Sequence, residues 1–261
     1  MLDIHCHLLP GLDDGPDDLE ESLEMARLAV QDGITSVVAT PHYDAGVNVV
    51  SSQEVLRAVD GMNSALKAEG IPLSVFPGME LRAELSIPGL YSQNEVLGLC
   101  GQRKYILMDF HPVSLPLYLE KVVFQIMLTG TQVIIAHPER NRSIVRQPEV
   151  LYPMLQRGVL LQLDAESLTG NFGSEVQRTA ELFLRLGWVS FIATDAHSVK
   201  HRPPVLSYAL KAAAKIIGYE PARELVLDNP EKVIKGLRME GAEIVPYKTQ
   251  KGMLRRLCPW L

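Results

Sequence analysis

Seven apolar, β-branched runs punctuate the chain, at about 2–7, 34–42, 73–81, 104–110, 132–138, 159–165 and 188–195. Between them lie helix-like segments at 17–32, 52–69, 116–128, 148–157, 175–186 and 203–217, several closing on a glycine suited to a left-handed cap. Strand and helix alternate in the order expected of successive βα units around a parallel sheet. Seven units predict a barrel, and no linker or low-complexity tract divides it, so a single domain is expected.

The ends of these runs carry the informative polar residues. Six of the seven terminate in metal-ligand types: His5 and His7, His42, Glu80, Asp109, His137, and Asp195 with His197. In a parallel barrel the loops after the strands form the active face, so these groups are predicted to converge on one mouth. Such side chains are costly beside buried strands unless something pairs with them, and imidazole mixed with carboxylate suits Zn, Mn or Fe. The pattern points to a metallohydrolase.

Side chains alternate along a strand, so His5 and His7 share a face that Cys6 does not. Two core histidines bonded to backbone would be the bland explanation, and the companions at matching strand ends argue against it. In the loop Gly11-Leu12-Asp13-Asp14-Gly15-Pro16-Asp17-Asp18, Asp17 or Asp18 is placed to cap the next helix. Either Asp13 or Asp14 can turn back toward the mouth, and spacing does not choose between them. Pro41 ends its strand and leaves His42 at the loop edge. Glu80 sits between apolar neighbours, where bridging two cations would resolve its burial. Asp109 follows the same logic, with a helix cap as alternative.

His137-Pro138-Glu139-Arg140 offers a ligand and, three residues on, a guanidinium suited to bidentate phosphate capture. Glu139 is read as a possible partner of Arg140 or Arg142. Asp195 and His197 repeat the spacing of His5 and His7, and Arg202 follows as a second anion clamp, against the alternative that it neutralises a helix or the acidic surface. Asp164 and Glu166, after the sixth run, are expected only to bond their loop. The candidate ligands, with Asp14, number nine, enough for two or three ions. The histidines argue against Mg or Ca alone.

Composition narrows the classes. The chain has 261 residues, 47% hydrophobic and 21% charged. Its apolar runs are far shorter than the roughly 18 residues of a membrane span, and no basic leader is visible. A net charge of −6 gives no support for broad nucleic-acid binding. Three cysteines without C-x-x-C spacing argue against a disulfide framework and fit the cytosol. None of them begins a Cys-x5-Arg loop, which excludes thiol-dependent phosphatase chemistry, and no P-loop is present.

The run DIHCHLLPGLDDG, then ATPHY, GMEL, HPER, DAHS, HRPP and LDNP in that order, resembles the PHP (polymerase and histidinol phosphatase) superfamily. More narrowly it is similar to the manganese-dependent bacterial protein-tyrosine phosphatases of capsule and exopolysaccharide clusters. The resemblance implies a distorted (β/α)7 barrel with a trinuclear site. It places the ligands on His5, His7, Asp14, His42, Glu80, His137, Asp195 and His197, choosing Asp14 over Asp13. Arg140 and Arg202 would bind phosphate, with His42 also at the catalytic centre. It further implies Mn2+, with Fe or Zn as alternatives, and a phosphotyrosine protein as partner, the tail of a membrane-associated tyrosine autokinase. One departure stands out: Asp109 occupies a position where the family commonly has Glu.

Rival readings are a histidinol-phosphate phosphatase, a TatD-type deoxyribonuclease, and a metal-bound scaffold that only docks on a kinase. An amidohydrolase would carry a carbamylated Lys near the end of the fourth strand, where Asp109 stands. Residues 240–261 form a basic and apolar extension. Its last part, 247–261, is expected to be a short helix packing on the barrel or on another subunit, in preference to touching an anionic membrane. Oligomerisation is left open.

Overall fold

Side-chain parity along the strands builds two cores. Tyr105 and Leu107 belong to an inner apolar cluster with Ile4, Val38, Ile134 and Phe191, while Ile106 and Met108 join the larger outer cluster that packs against the helices. The computed structural model describes residues 1–240 and 244–247. It contains nine strands: β1 Leu2–Cys6, β2 Ser36–Ala39, β3 His42–Tyr43, β4 Ser74–Pro77, β5 Glu80–Arg82, β6 Tyr105–Asp109, β7 Gln132–Ala136, β8 Leu160–Asp164 and β9 Val189–Ala193.

Every strand pairing is parallel. One sheet runs β1-β2-β4 and the other β3-β5-β6-β7-β8-β9. Two predicted strands, 34–42 and 73–81, are each broken in two, so that β2 and β4 belong to one sheet while β3 and β5 belong to the other. Pro41 cannot donate to the ladder at the first break. Gly78 marks the second, where a Cβ would stand 2.9 Å from Val38 Cγ1 and 3.0 Å from Leu99 Cδ2. The chain passes through a gap that only glycine fits. At the other seam, Asp195 N donates to His5 O and His7 N to Ala196 O, each at 2.8 Å, joining the end of β9 to β1. Seven strand positions thus surround one interior with an interrupted ladder, a distorted (β/α)7 barrel.

The helices on the outside begin and end close to the predicted bounds. The first spans Leu19–Gln31, and Asp18 is its cap, accepting from Glu21 N. The second, Ser52–Ala68, opens with a reciprocal capping box between Ser51 and Glu54. Helices at Ile87–Ser92, Arg142–Arg146, Ala165–Thr169, Tyr219–Val226 and Asp228–Ile234 were not expected; the first three are six residues or fewer, too short to show periodicity.

The last helix has a specific task. Val233 and Met239 enter the inner cluster, Tyr105 OH donates to Leu237 O, and Gln132 exchanges bonds with both backbone groups of Met239. The floor of the barrel is sealed by the C-terminal part of the chain, which leaves the opposite end as the mouth. Of the extension, Val245 bonds to Leu186 and to the Trp188 indole. The stretch 248–261, including Cys258 and the expected packing helix, lies outside the described residues. No helix among the described residues is long and apolar enough to cross a membrane.

Candidate metal centre

The inward positions turn from apolar to polar as each strand approaches the mouth. Tyr105 and Leu107 are followed by Asp109, Leu160 by Gln162 and Asp164, and Phe191 and Ala193 by Asp195; all four polar residues are buried. His5 and His7 point to this interior, and Cys6 faces the outer core. His137 and Asp195 leave their strands with φ of 31° and 49°, left-handed values that are strained for residues with a Cβ. That bend turns both side chains over the barrel axis.

Four donor atoms meet at the centre. His5 Nε2 lies 3.2 Å from His7 Nε2, 3.4 Å from Glu80 Oε2 and 3.2 Å from Asp195 Oδ1. His7 Nε2 lies 3.5 Å from Glu80 Oε2 and 3.3 Å from Asp195 Oδ1. Four ligands placed about 2.1 Å from a common ion in a tetrahedron are about 3.4 Å apart, so the spacing is that of a coordination shell. Glu80 Oε2, Asp195 Oδ1 and His197 Nε2 are buried and meet no well-aligned hydrogen bond, with only imidazole nitrogens close to the two carboxylate oxygens, His42 Nδ1 at 2.8 Å from Glu80 Oε2 and His5 Nε2 at 3.2 Å from Asp195 Oδ1. Buried acceptors without donors are expensive unless a cation satisfies them.

Two further groups flank this one. Asp14 Oδ1 lies 3.4 Å from both His42 Nε2 and His197 Nε2, beside His7. On the other side, Glu80 Oε1 sits 2.8 Å from His137 Nε2, with Asp109 nearby. Glu80 thereby presents one oxygen to the central group and the other to the third. Each of the nine residues expected as ligands falls within one of the three groups.

Charge follows from this crowding. Burial opposes a charge on His5, yet Glu80 and Asp195 overcome it and lift the imidazole to about 10. His7 is raised against the same desolvation by Asp13, and His42 by Glu80. A proton stands where the acids demand a positive charge, the role a divalent ion takes when it displaces it. His137 and His197 go the other way, lowered by burial, so they keep neutral lone pairs. Asp109 is pushed up to about 7 by burial and by the Glu80 charge.

The two predicted arginines converge on the same mouth. Arg140 Nη1 donates to Asp195 Oδ2 at 2.6 Å and to Asp164 Oδ2 at 3.0 Å, and Arg202 also bonds Asp195 Oδ2. The Arg140 guanidinium lies 4.4 Å over the Phe172 ring, a platform that holds a planar cation flat. Together with Asp14, His42 and Arg82 they border a cavity of about 200 Å3.

Gln162 and Arg82 escaped the sequence reading, and other residues take roles it did not assign. Asp13 stands behind the three groups: its Oδ2 accepts from His7 Nδ1 at 2.5 Å and from the His42 backbone NH at 2.9 Å. Gln162 Oε1 does the same for His5 Nδ1 at 2.9 Å, and its place on the inward parity of β8 was the available signal. Arg82 reaches from β5 to Asp109 at 2.5 Å and to Asp44. Asp164 is more than a loop bonder, since it caps the helix Ala165–Thr169 and also faces Arg140. Glu139 pairs with neither Arg140 nor Arg142; it is buried and accepts from Asp164 N. Glu166 does bond its loop, at Asn171.

Comparison with known proteins agrees with this geometry. The chain is 36% identical over 251 residues to the tyrosine-protein phosphatase YwqE of Bacillus subtilis, covering 96% of this chain and 98% of that one. It is 29% identical to the putative tyrosine-protein phosphatase CapC of Staphylococcus aureus, over 92% and 93% of the two chains. A solved structure described as that of YwqE from Bacillus subtilis and CpsB from Streptococcus pneumoniae, unique metal-dependent tyrosine phosphatases, superposes with a TM-score of 0.91 at 35% identity, covering 95% of this chain and all of the other. The fold alone is shared with a zinc-bound histidinol phosphate phosphatase from Lactococcus lactis, at a TM-score of 0.53 and 13% identity over 85% of this chain and 93% of that one. Residues 1–235 match the family profile of capsular polysaccharide synthesis, CpsB/CapC, and the chain belongs to that family.

Proposed function

We propose that this protein is a metal-dependent phosphatase that hydrolyses phosphotyrosine in a protein. The observation that carries this reading is the central quartet of His5, His7, Glu80 and Asp195, with two buried carboxylate oxygens lacking a well-aligned hydrogen bond, directly beside the paired guanidiniums of Arg140 and Arg202. The names of the relatives and the metal dependence of the superposed structure support it.

The residues divide the work. His5, His7, Glu80 and Asp195 would hold one ion, His42, His197 and Asp14 a second, and Glu80, Asp109 and His137 a third; mixed imidazole and carboxylate donors suit Mn2+, with Fe or Zn as alternatives. Bound divalent ions supply a charge that offsets the phosphoryl dianion and acidify the attacking water. Arg140 and Arg202 bind the equatorial oxygens and keep the phosphorus in line. Asp13 and Gln162 fix the ring orientations of His7 and His5, and Phe172 keeps Arg140 from swinging away.

A cavity of about 200 Å3 is smaller than the roughly 300–1,000 Å3 of sites that enclose a whole small molecule. It accepts a phosphorylated head group and leaves the rest of the substrate outside, as a protein side chain requires. The family's link to capsular polysaccharide synthesis supports a membrane-associated tyrosine autokinase as the natural substrate.

The test is direct: metal content per chain, and release of phosphate from a phosphotyrosine peptide, histidinol phosphate and single-stranded DNA with Mn2+ and after chelation. Mn-dependent turnover of the peptide above the other two is expected. Purified protein that binds no transition metal would sink the assignment.

A further inference from the structure

The mouth is chemically divided. Arg140, Phe172 and Arg202 stand above β7, β8 and β9, on the side where phosphate is held. The loops that follow the neighbouring strands β3, β5 and β6 instead carry exposed apolar side chains: Val47 and Val49 on the first, Leu85 on the second, Val113 and Leu117 on the third. Val47 is 83% exposed and Leu117 fully so. Apolar residues gathered on one rim of a polar pocket mark a contact surface.

Both outer loops are held in place. Asn48 Nδ2 donates to His42 O, and Asp44 and Asn48 exchange backbone bonds across the turn. On the far side, Asn141 Nδ2 donates to His111 O, Arg142 N to Pro112 O and Ser143 Oγ to Val113 O. Beside the first loop runs a groove of about 560 Å3, walled by Leu12 and Val47, which shares Asp14, His42 and Arg82 with the catalytic cavity. The groove thus opens directly beside the cavity, where the neighbour of a phosphorylated side chain would lie. Asp44 is paired there with Arg82 at 3.2 Å, and Leu12 and Val47 are the apolar walls of a groove otherwise lined by polar side chains.

Resting on the phosphatase reading above, we propose that the rim over β3, β5 and β6 is a docking surface for an extended phosphotyrosine segment whose flanking residues are apolar or aromatic. It sets specificity for the protein substrate and plays no part in the chemical step.

The experiment compares p-nitrophenyl phosphate with two phosphotyrosine peptides, one flanked by Leu and Tyr and one by Gly and Ser, on the Mn-loaded full chain and on the double variant Val47→Ser, Leu117→Ser. The parent is expected to favour the apolar-flanked peptide by about tenfold in kcat/KM, through KM. The double variant loses that preference, with unchanged melting temperature and unchanged turnover of p-nitrophenyl phosphate. Equal turnover of both peptides by the parent, or an unaltered preference in the variant, overturns the docking surface and leaves the phosphatase reading intact. Hydrolysis of p-nitrophenyl phosphate with neither peptide cleaved overturns both.

Discussion

His7 Nδ1 and Asp13 Oδ2 lie 2.5 Å apart, and the same oxygen accepts the His42 backbone NH. One carboxylate therefore fixes the ring of one candidate ligand and the backbone of another. Asp13→Ala is expected to weaken Mn2+ binding by about 10–100-fold while the fold survives. Calorimetric titration of metal into both proteins checks this, and an unchanged affinity would show that Asp13 does not position the site.

Removing metal exposes the crowded acids to one another. At a free metal concentration of about 100 times Kd, the loaded protein gains about 2.7 kcal/mol, which raises the melting temperature by several degrees over chelated protein. Because His5 is lifted to about 10 by Glu80 and Asp195, loading displaces a proton at neutral pH. Affinity should rise with pH through the neutral range, and titration in buffers of different ionisation enthalpy counts the protons released.

Arg140→Ala removes a guanidinium held between Asp164, Asp195 and Phe172. A loss of about 10²–10³ in kcat is expected if this group stabilises the transferring phosphoryl. Metal content should stay near that of the parent. Steady-state kinetics with p-nitrophenyl phosphate, together with metal analysis, separates that outcome from collapse of the site.

Glu139 supplies a pH signature of stability. Burial raises its carboxyl to about 7 from 4.5, so the folded protein keeps a proton that the unfolded chain has lost between those values. Its contribution is therefore intact below about 4.5 and declines as pH climbs to 7, by about 3 kcal/mol in all. Glu139→Gln should flatten that part of the profile. Denaturant midpoints measured at pH 5 and pH 7.5 give the difference between parent and variant.

At Gly78 a methyl group meets Val38 and Leu99 within 3.0 Å. Gly78→Ala is expected to cost about 1–3 kcal/mol, since both neighbours belong to the packed inner core. Urea unfolding measures it; an unchanged midpoint would mean the break between β4 and β5 has slack.

The sequence disclosed what repeats and what is costly. Strand and helix alternation pointed to the barrel, and acids and histidines at strand ends marked eight of the nine residues that the structure gathers, because burying such groups needs a reason visible in composition; Asp14, in a loop, was chosen over Asp13 only by the family resemblance. The interruptions of two strands were less legible: Pro41 announced one, but Gly78 looks like any turn glycine until Val38 and Leu99 are placed beside it. Orienting partners were hidden for another reason. Gln162 and Arg82 act across 157 and 27 residues, on His5 and Asp109, and no local pattern names such partners, while Asp13, six residues from His7, was in view but not distinguishable from Asp14 by spacing. Asp164 was read only as a loop bonder, which its Oδ1 is, and its second oxygen, turned to Arg140, shows the other task.

The seam between β1 and β9 fixes when the protein becomes competent during its own synthesis. The backbone groups that His5 and His7 bond to, at Asp195 and Ala196, follow them in the chain by about 190 residues, and the Met239 that seals the floor comes later still. A nascent chain therefore carries these two histidines without the partners that place them, and assembly must wait on long-range closure, the slow step for parallel topologies.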